Sequence, residues 1–433
     1  MRQTISFHSF FIFSPTRKNP RAGLALLTSL FIVVFLSMLL AVAFLRSEMQ
    51  MRRVTQRKAI QEAFYAAEAG LERAVFELRR NPGWRPASGG DERLNLVAGD
   101  DGTTIGFYSL TIADGDVFNG WDTLWVRAVG QDSLKDLDRV IIARVIVENP
   151  ARFLVSTLGE LHIGSGANIQ ADILGQDLYF DVNGALPPED QTITVDGDVF
   201  YIRSITNQNN PAVSYSPGSD IIQSPSITFA GVDVDRYREL ANSLQTGGQG
   251  VYNAGDLTVD LSNLQALGGG PQPLLIFAEG NITISGQYDH SLLVVAGGNV
   301  YIHDDISADE LQTVRPQIGI FAKRDLVIPS GAVPAGGDLN LEAFLMADGD
   351  GNSEGNFVAE GAKGSLGTLS FTGAIAVRGG GRTGVDLNAF SARNYTYNTQ
   401  LTANRSIPFS PFIVNVIQWN EGTLATQFPP PAS

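Results

Sequence analysis

The sequence predicts an α+β protein with a long N-terminal helix, an antiparallel β-sheet packed on that helix, and a larger β-rich region after them. Three observations support this fold class. Residues 24–45 form an apolar run without charges, a helical repeat of apolar residues continues to Arg80, and most of the remaining chain alternates with period two. With 433 residues, of which 44% are hydrophobic, the chain can form several cores.

The composition excludes several functional classes. The formal net charge is -15, and an acidic surface repels phosphate, so nucleic acid is not an expected partner. The absence of cysteine removes disulfides, thiolate metal ligands and cysteine nucleophiles. The four histidines show no HExxH spacing, and the chain has neither a GxSxG motif nor a Walker loop. The sequence therefore predicts neither an enzyme nor a required cofactor.

The apolar run over 24–45 is long enough to cross a bilayer, which takes about 20 residues, so we expect membrane lipid around it. The helix should continue as an amphipathic half over 46–83. Apolar residues recur there at intervals of three or four, and no proline occurs until Pro82. The stop signal Asn81-Pro82-Gly83 predicts that the helix ends near Arg80.

Three basic residues precede the apolar run: Arg17, Lys18 and Arg21. They are followed by Ala22-Gly23, and the apolar run begins at the next residue. In this arrangement the N-terminus resembles that of type IV prepilins. The resemblance implies a leader over 1–23, cleavage by a prepilin peptidase between Gly23 and Leu24, and retention of 24–45 as the transmembrane half of a long helix.

Residues 63–72 read AFYAAEAGLE, which is similar to the A-x-x-A-A-E-A-G-L signature of the PilX-type minor pilins. The resemblance implies a single-pass protein of the bacterial inner membrane, with most of the chain outside the cytoplasm, that moves to a pilus on the cell surface. Other pilins and the inner-membrane pilus assembly machinery would be its partners. The residues implied to pack in the pilus are Thr28, Phe64, Ala67, Glu68 and Leu71.

One position departs from the major pilins of that family. Thr28 is the fifth residue after the implied cleavage, where major pilins carry glutamate. A carboxylate in hydrocarbon costs on the order of a few kcal/mol unless it is paired, and in the family it pairs with the terminal amine of a neighbouring subunit. A subunit without this carboxylate cannot make that pair. Thr28 therefore indicates a position at the pilus tip, where the subunit primes assembly or contacts a surface.

Residues 84–150 carry β-forming residues with period two over 104–113, 122–129 and 139–147, separated by Gly- and Asp-containing turns. This pattern predicts an antiparallel meander. By resemblance it is the pilin-like sheet, on which the amphipathic half of the helix packs. A sheet of this size would be only marginally stable without the helix.

Residues 151–411 repeat a theme of an apolar strand, a glycine-containing turn and a polar marker. The markers are Glu160, Asp177, Asp198, Asp256, Asn281, Asn299 and Asp325. Most of their spacings suit the coils of a right-handed parallel β-solenoid, in which the asparagines would stack as a ladder along the turns. A β-sandwich is the alternative, since it also combines alternation with Gly-rich turns.

The long gap between Asp198 and Asp256 predicts a helical insertion over 203–250. It contains a polar loop and a short helix that is capped by an aspartate and stopped by Gly247-Gly248. Residues 412–433 are predicted as a C-terminal strand and a Pro-rich tail.

Oxygen ligands alternate over 348–354, which resembles the first half of a calcium-binding loop. The candidate calcium ligands are Asp348, Asp350, Asn352 and Glu354. The loop departs from the EF-hand pattern because Ser353 stands in place of the expected glycine. A plain acidic turn is the alternative interpretation.

Two further hypotheses remain open. Tyr288-Asp289-His290 and His303-Asp304-Asp305 lie between successive strands, where neighbouring coils of a solenoid could bring them together. They could then act as acid–base residues of a membrane-anchored solenoid enzyme that processes polysaccharide. The simpler interpretation is that they are solvated turn residues. The third hypothesis is a pseudopilin of a type II secretion system.

Overall fold

The computed structural model describes residues 20–81, 83–86, 94–98, 103–118, 121–133, 137–182, 192–227, 231–267, 272–310, 312, 315–349, 354–379, 384–401, 407–410, 413–422 and 428. Helix α1, Pro20–Arg80, comes first and has 61 residues, so it is about 90 Å long at 1.5 Å per residue. It ends where the stop signal predicts. The side chain of Asn81 accepts a hydrogen bond from the backbone N–H of Gly83 at 3.1 Å.

In the part of the chain that the structure describes, five strands form an antiparallel sheet beside α1. They are β1 Leu94–Ala98, β2 Thr103–Asp114, β3 Thr123–Asp132, β4 Asp138–Glu148 and β25 Ile413–Gly422, and they pair in that order. The three strands predicted over 84–150 are present, and β1 adds a fourth. Helix α1 packs mainly on β2, β3 and β4.

The last strand shows that the large region is an insertion into this sheet. The sequence predicts a C-terminal strand but does not say which strand it pairs with. In the structure, β25 pairs with β4, with Ile413 opposite Glu148 and Gly422 opposite Val140. Residues 155–397 therefore lie between the fourth and fifth strands of the antiparallel sheet. Pairing between strands so far apart in sequence leaves no local pattern that would predict it.

The described residues of the inserted region form twenty strands and one α-helix. The strands are β5 Val155–Gly164, β6 Ala167–Gln170, β7 Ile173–Asp181, β8 Ile193–Val195, β9 Val199–Thr206, β10 Val213–Tyr215, β11 Ile221–Gln223, β12 Gly250–Asn253, β13 Leu257–Asp260, β14 Leu275–Ala278, β15 Ile282–Tyr288, β16 Leu292–Ala296, β17 Val300–Ala308, β18 Ile318–Ala322, β19 Leu326–Ile328, β20 Leu339–Ala347, β21 Phe357–Ala359, β22 Leu366–Val377, β23 Val385–Asp386 and β24 Phe390–Tyr397. The helix is α2, Val234–Gln245. Short 3-10 helices lie at Pro150–Arg152, Leu261–Leu267 and Thr399–Leu401.

These twenty strands form parallel columns, in which most strands pair with the strand two positions along the chain. The longest column runs β12-β14-β16-β18-β20-β22-β5-β7-β9-β11. A second runs β13-β15-β17-β19-β21-β23-β5, and a third runs β17-β20-β22-β24-β6-β8-β10. Every pairing between described strands of this region is parallel, so the β-sandwich alternative does not describe it.

The chain enters the columns in the middle. Strand β5 pairs with β22 on one side and β7 on the other, and the strands then proceed to one end at β11. Helix α2 follows, after which the chain resumes at the opposite end with β12 and returns to β24.

The prediction of a helical insertion over 203–250 is partly wrong. Helix α2 begins as expected, because the side chain of Asp233 accepts a hydrogen bond from the N–H of Arg236 at 3.0 Å. The polar loop before it, however, contains β10 and β11, which extend the columns. Strands of three residues are too short to show period-two alternation.

Polar side chains form a ladder along one corner of the columns, as the sequence predicts. The backbone N–H of Asn281 donates to Asp256 Oδ1 at 2.7 Å, that of Asn299 to Asn281 Oδ1 at 2.9 Å, and that of Asp325 to Asn299 Oδ1 at 3.1 Å. The N–H of Asn356 continues the series to Asp325 Oδ1 at 2.9 Å. Each side chain therefore satisfies a turn N–H of the next strand layer.

Aliphatic side chains fill the space between the columns, while an aromatic cluster joins the inserted region to the antiparallel sheet. Trp121, Phe153 and Phe200 are buried, with ring centroids of Trp121 and Phe153 5.3 Å apart. The Arg152 guanidinium lies 5.2 Å from the Trp121 ring, and Trp121 Nε1–H donates to Ser224 Oγ at 3.2 Å. Such contacts stabilise a junction by area burial and by cation–π attraction.

Candidate functional site: the N-terminal helix and its sheet

Helix α1 has an exposed half and a packed half. Every residue over 26–58 is exposed, and an apolar window within Leu26–Arg80 has a mean hydropathy of 2.7 with none of it buried. By length and composition, this helix is able to cross a membrane. Gly23 and Leu24, the predicted cleavage residues, lie in its first turns, where only the backbone is described.

The packed half presents a stripe of small residues to the sheet. Ala63, Ala66, Ala67 and Ala74 are fully buried, and the apolar side chains beside them include Leu78. Their spacing of three, four and seven residues places them on one face of the helix. This stripe contains three of the four alanines of the 63–72 signature, so most of the signature forms a contact surface within the chain.

Two glycines of the sheet bring it into backbone contact with this stripe. A Cβ atom added at Gly130 of β3 would lie 2.0 Å from the carbonyl oxygen of Ala63 and 2.2 Å from the nitrogen of Ala67. One added at Gly106 of β2 would lie 3.2 Å from the Cβ of Ala66. The sequence analysis missed both glycines. Glycine within a period-two strand pattern is the signal that could have identified them, because it marks a close backbone approach.

The residues implied to pack in a pilus occupy different environments. Ala67 has no exposed surface, and Phe64 and Leu71 are half-buried against the core between helix and sheet. Glu68 and Thr28 are exposed. Thr28, Glu68 and the exposed edges of Phe64 and Leu71 are therefore accessible to another subunit. Their contact with other pilins stays a prediction.

The four predicted calcium ligands are only partly described. Asp350 and Asn352 lie outside the described residues. Asp348 is 3% exposed, and its carboxylate accepts hydrogen bonds from Lys323 Nζ at 2.5 Å and from Arg378 Nη1 at 3.2 Å. The charge of Asp348 is therefore compensated within the chain.

The fourth ligand, Glu354, has an oxygen 3.6 Å from Arg324 Nε. In the part of the chain that the structure describes, no three acidic or histidine side chains gather in a way that could hold a metal ion. Calcium binding stays a prediction, and both of its described ligands already face cationic side chains.

The two histidine-containing triplets have local partners. Tyr288 is fully buried and its hydroxyl donates to the carbonyl oxygen of Glu342 at 3.1 Å. Asp289 Oδ1 lies 2.6 Å from Nδ1 of His290, whose Nε2 lies 3.0 Å from the carbonyl oxygen of Pro273. These contacts shape the turn between β15 and β16.

The prediction that the second triplet, 303–305, lies between strands is wrong, because these residues lie within β17. In the pairing of β15 with β17, the residue opposite Tyr288 is Ala308. Residues 303–305 come earlier in β17, at the register shift between the partners of Ile284 and Gly286. Asp305 Oδ1 accepts a hydrogen bond from the N–H of Asn340 at 2.7 Å. The structure therefore does not bring the two triplets together into an acid–base site.

A charged cluster that the sequence analysis did not predict surrounds His162 on β5. Its Nδ1 lies 2.6 Å from Asp181 Oδ2 and its Nε2 lies 3.1 Å from Glu160 Oε2. The ring stacks on Tyr179 with centroids 4.6 Å apart. Burial disfavours the protonated ring, but the hydrogen bonds and charges of Asp181 and Glu160 outweigh it, so the pKa of His162 is raised.

No family model matches the chain, and no curated protein matches it. Among solved structures, it is similar to the competence-associated pilin ComZ from Thermus thermophilus, at 13% sequence identity, over 83% of this chain and 97% of that chain. The TM-score is 0.26. A score this low does not show a common fold.

Proposed function

We propose that this chain is a pilin-like subunit of a type IV pilus. The observation that carries the proposal is α1, a single 61-residue helix whose first half is apolar and exposed and whose second half packs on an antiparallel sheet. Apolar surface on that scale is stable only in lipid or against other apolar helices. The exposed half of α1 holds the chain in the inner membrane before assembly and packs among other pilin helices afterwards.

The inserted region is, in this proposal, a parallel β-solenoid displayed outside the membrane. Its three columns of parallel strands and its ladder of polar side chains support that architecture. The subunit acts by packing and recognition, without catalysis and without a cofactor. Its solenoid is carried by the antiparallel sheet and not by the helix, since both of its connections lead to β4 and β25.

Thr28 supports a position at the tip of the pilus. A threonine in the apolar half of α1 offers no carboxylate to the terminal amine of a neighbouring subunit, so it suits a subunit that caps the assembly. At the tip, the chain would prime assembly or contact a surface.

Processing of the N-terminus tests the proposed class. The full chain is co-expressed with a prepilin peptidase, and intact-mass and N-terminal mass spectrometry identify the first residue. We expect Leu24, and we expect Gly23→Val to retain the leader, whereas the matched control Gly83→Val, remote from the leader, is cut as in the wild type. A wild-type chain that retains Met1 in the presence of active peptidase would contradict the proposal.

The tip position has its own test. Filaments are purified from cells that express an epitope-tagged chain, and the label is located by electron microscopy. We expect label at filament ends only, and we expect Thr28→Glu to allow incorporation along the shaft. Label along the length of wild-type filaments would show that the chain is a shaft subunit.

A further inference from the structure

A cavity of about 270 Å³ lies where three parts of the chain meet. Its lining includes Arg80, which is the last residue of α1, Asn149 just after β4, and Arg236 in the first turn of α2. The volume of the cavity is slightly below the ~300–1,000 Å³ of pockets for drug-sized ligands, so the cavity suits a small molecule or a single side chain.

Two guanidinium groups line this cavity, and neither has a carboxylate partner among the described residues. Among the residues that the structure describes, neither Arg80 nor Arg236 forms an ion pair. Their guanidinium carbons lie over aromatic rings, 5.5 Å from Phe76 and 5.5 Å from Tyr237, respectively. Arg238, by contrast, pairs with two carboxylates. In a chain with a net charge of -15, two such arginines at one cavity indicate a site for an anion.

The remaining wall is largely apolar. Phe344, Leu401 and Ile407 are buried and line the cavity together with Phe409. Ser410 adds a hydroxyl oxygen that is buried without a hydrogen-bond partner among the described residues. A buried hydroxyl without a partner is costly, so a ligand that reaches it would gain a hydrogen bond. Inorganic anions would satisfy the arginines but leave the apolar wall uncovered.

We propose that this cavity binds an organic carboxylate with an apolar body. The carboxylate would accept hydrogen bonds from the guanidinium groups of Arg80 and Arg236, which match its planar geometry. The apolar body would pack on Phe344 and its neighbours. The same chemistry is offered by a free organic acid and by the C-terminus of a polypeptide that ends in an apolar residue. This site does not depend on the filament role.

Isothermal titration of the full chain in detergent micelles tests the proposal. The probes are phenylacetate, its neutral analogue 2-phenylethanol, and inorganic phosphate. We expect saturable binding of phenylacetate alone. We expect Arg236→Gln to weaken that binding at least about tenfold, which corresponds to ~1.4 kcal/mol, and the exposed neighbour Arg79→Gln to leave it unchanged.

A second pair of probes separates the two sources of carboxylate. The peptide Ala-Ala-Phe is titrated with a free and with an amidated C-terminus. Tighter binding of the free peptide than of phenylacetate identifies a polypeptide terminus as the ligand, and the reverse order identifies a small organic acid.

Several results would overturn the proposal. Equal binding of 2-phenylethanol and phenylacetate would show that the cavity selects only apolar groups, and phosphate binding as tight as phenylacetate would show a general anion site. Failure of both carboxylate probes to bind at millimolar concentration would also reject it. Should Arg236→Gln unfold, Arg80→Gln replaces it, because the Arg80 side chain is exposed at the helix end, and unchanged binding in that variant rejects the site.

Discussion

Gly130 brings β3 into backbone contact with α1, and we expect Gly130→Ala to push the helix and the sheet apart. The added Cβ would lie 2.0 Å from the carbonyl oxygen of Ala63 and 2.2 Å from the nitrogen of Ala67. Ordinary contacts need about 3.5 Å, so the helix and the sheet must move apart locally by more than about 1 Å. Both contacted atoms belong to the helix backbone, and no change of side-chain rotamer can relieve the clash.

The cost follows from this displacement. Overpacking a core costs typically ~1–3 kcal/mol, and a radial gap of about 1 Å loses up to half of the dispersion energy across an interface. Because the contact involves two backbones, we expect the upper end, about 3 kcal/mol. Opening of the helix from the sheet would then be about a hundredfold more frequent.

Native-state hydrogen exchange of the full chain in micelles measures this opening segment by segment. In Gly130→Ala, amides over 63–78 and in β2 and β3 should exchange about a hundredfold faster, while those of β14–β20 stay unchanged. Gly83→Ala is the matched control, because its Cβ would meet only Asn81 Oδ1 at 3.5 Å. Exchange over 63–78 that is the same in Gly130→Ala and in the wild type would refute the close-packing argument.

Three further predictions concern the inserted region. Asp348→Asn removes the buried carboxylate to which two half-exposed cations donate hydrogen bonds, so the urea midpoint should fall by the equivalent of about 1–2 kcal/mol; an unchanged midpoint would show that the ion pairs contribute nothing. The raised pKa of His162 means that the folded state favours its proton: this contribution is complete below the unfolded pKa and is lost as the pH rises through the folded pKa. The urea midpoint of the wild type should therefore exceed that of His162→Gln at pH 5.5, and the difference should shrink at pH 8 (about 1.5 units above the usual His pKa of ~6.5); a constant difference would contradict this assignment. Asn281→Ala removes the acceptor for the N–H of the next ladder residue and should cost ~1–2 kcal/mol, whereas Asn281→Asp retains the acceptor and should stay near the wild type in thermal unfolding; equal losses would reject the ladder's role.

Local patterns predicted the parts of the fold that depend on neighbouring residues. The end of α1 after Arg80 follows from the Asn-Pro-Gly stop, and the start of α2 follows from the capping side chain of Asp233. The ladder of Asn281 and Asn299 was predicted because glycine–asparagine turns recur at similar intervals. In each case, the stabilising contact joins residues close in sequence or repeats with a visible spacing.

Contacts between distant residues were not predictable in the same way. Strand β25 pairs with β4, and β5 lies between β22 and β7. No local sequence pattern shows that these strands are neighbours. The cavity could not be predicted either, because it brings together Arg80 of α1 and Arg236 of α2, which are far apart in the sequence. Charge alone did not mark these arginines, because the sequence does not show which of its arginines pair with acidic residues.

The insertion of the large region between β4 and β25 gives it two covalent connections to the sheet. Because Glu148 lies opposite Ile413, both connections leave the same end of the sheet from neighbouring strands. A tensile load on the outer region is therefore divided between two strands that are hydrogen-bonded to each other along their length. A protease that cuts one connection leaves the region tethered through the other.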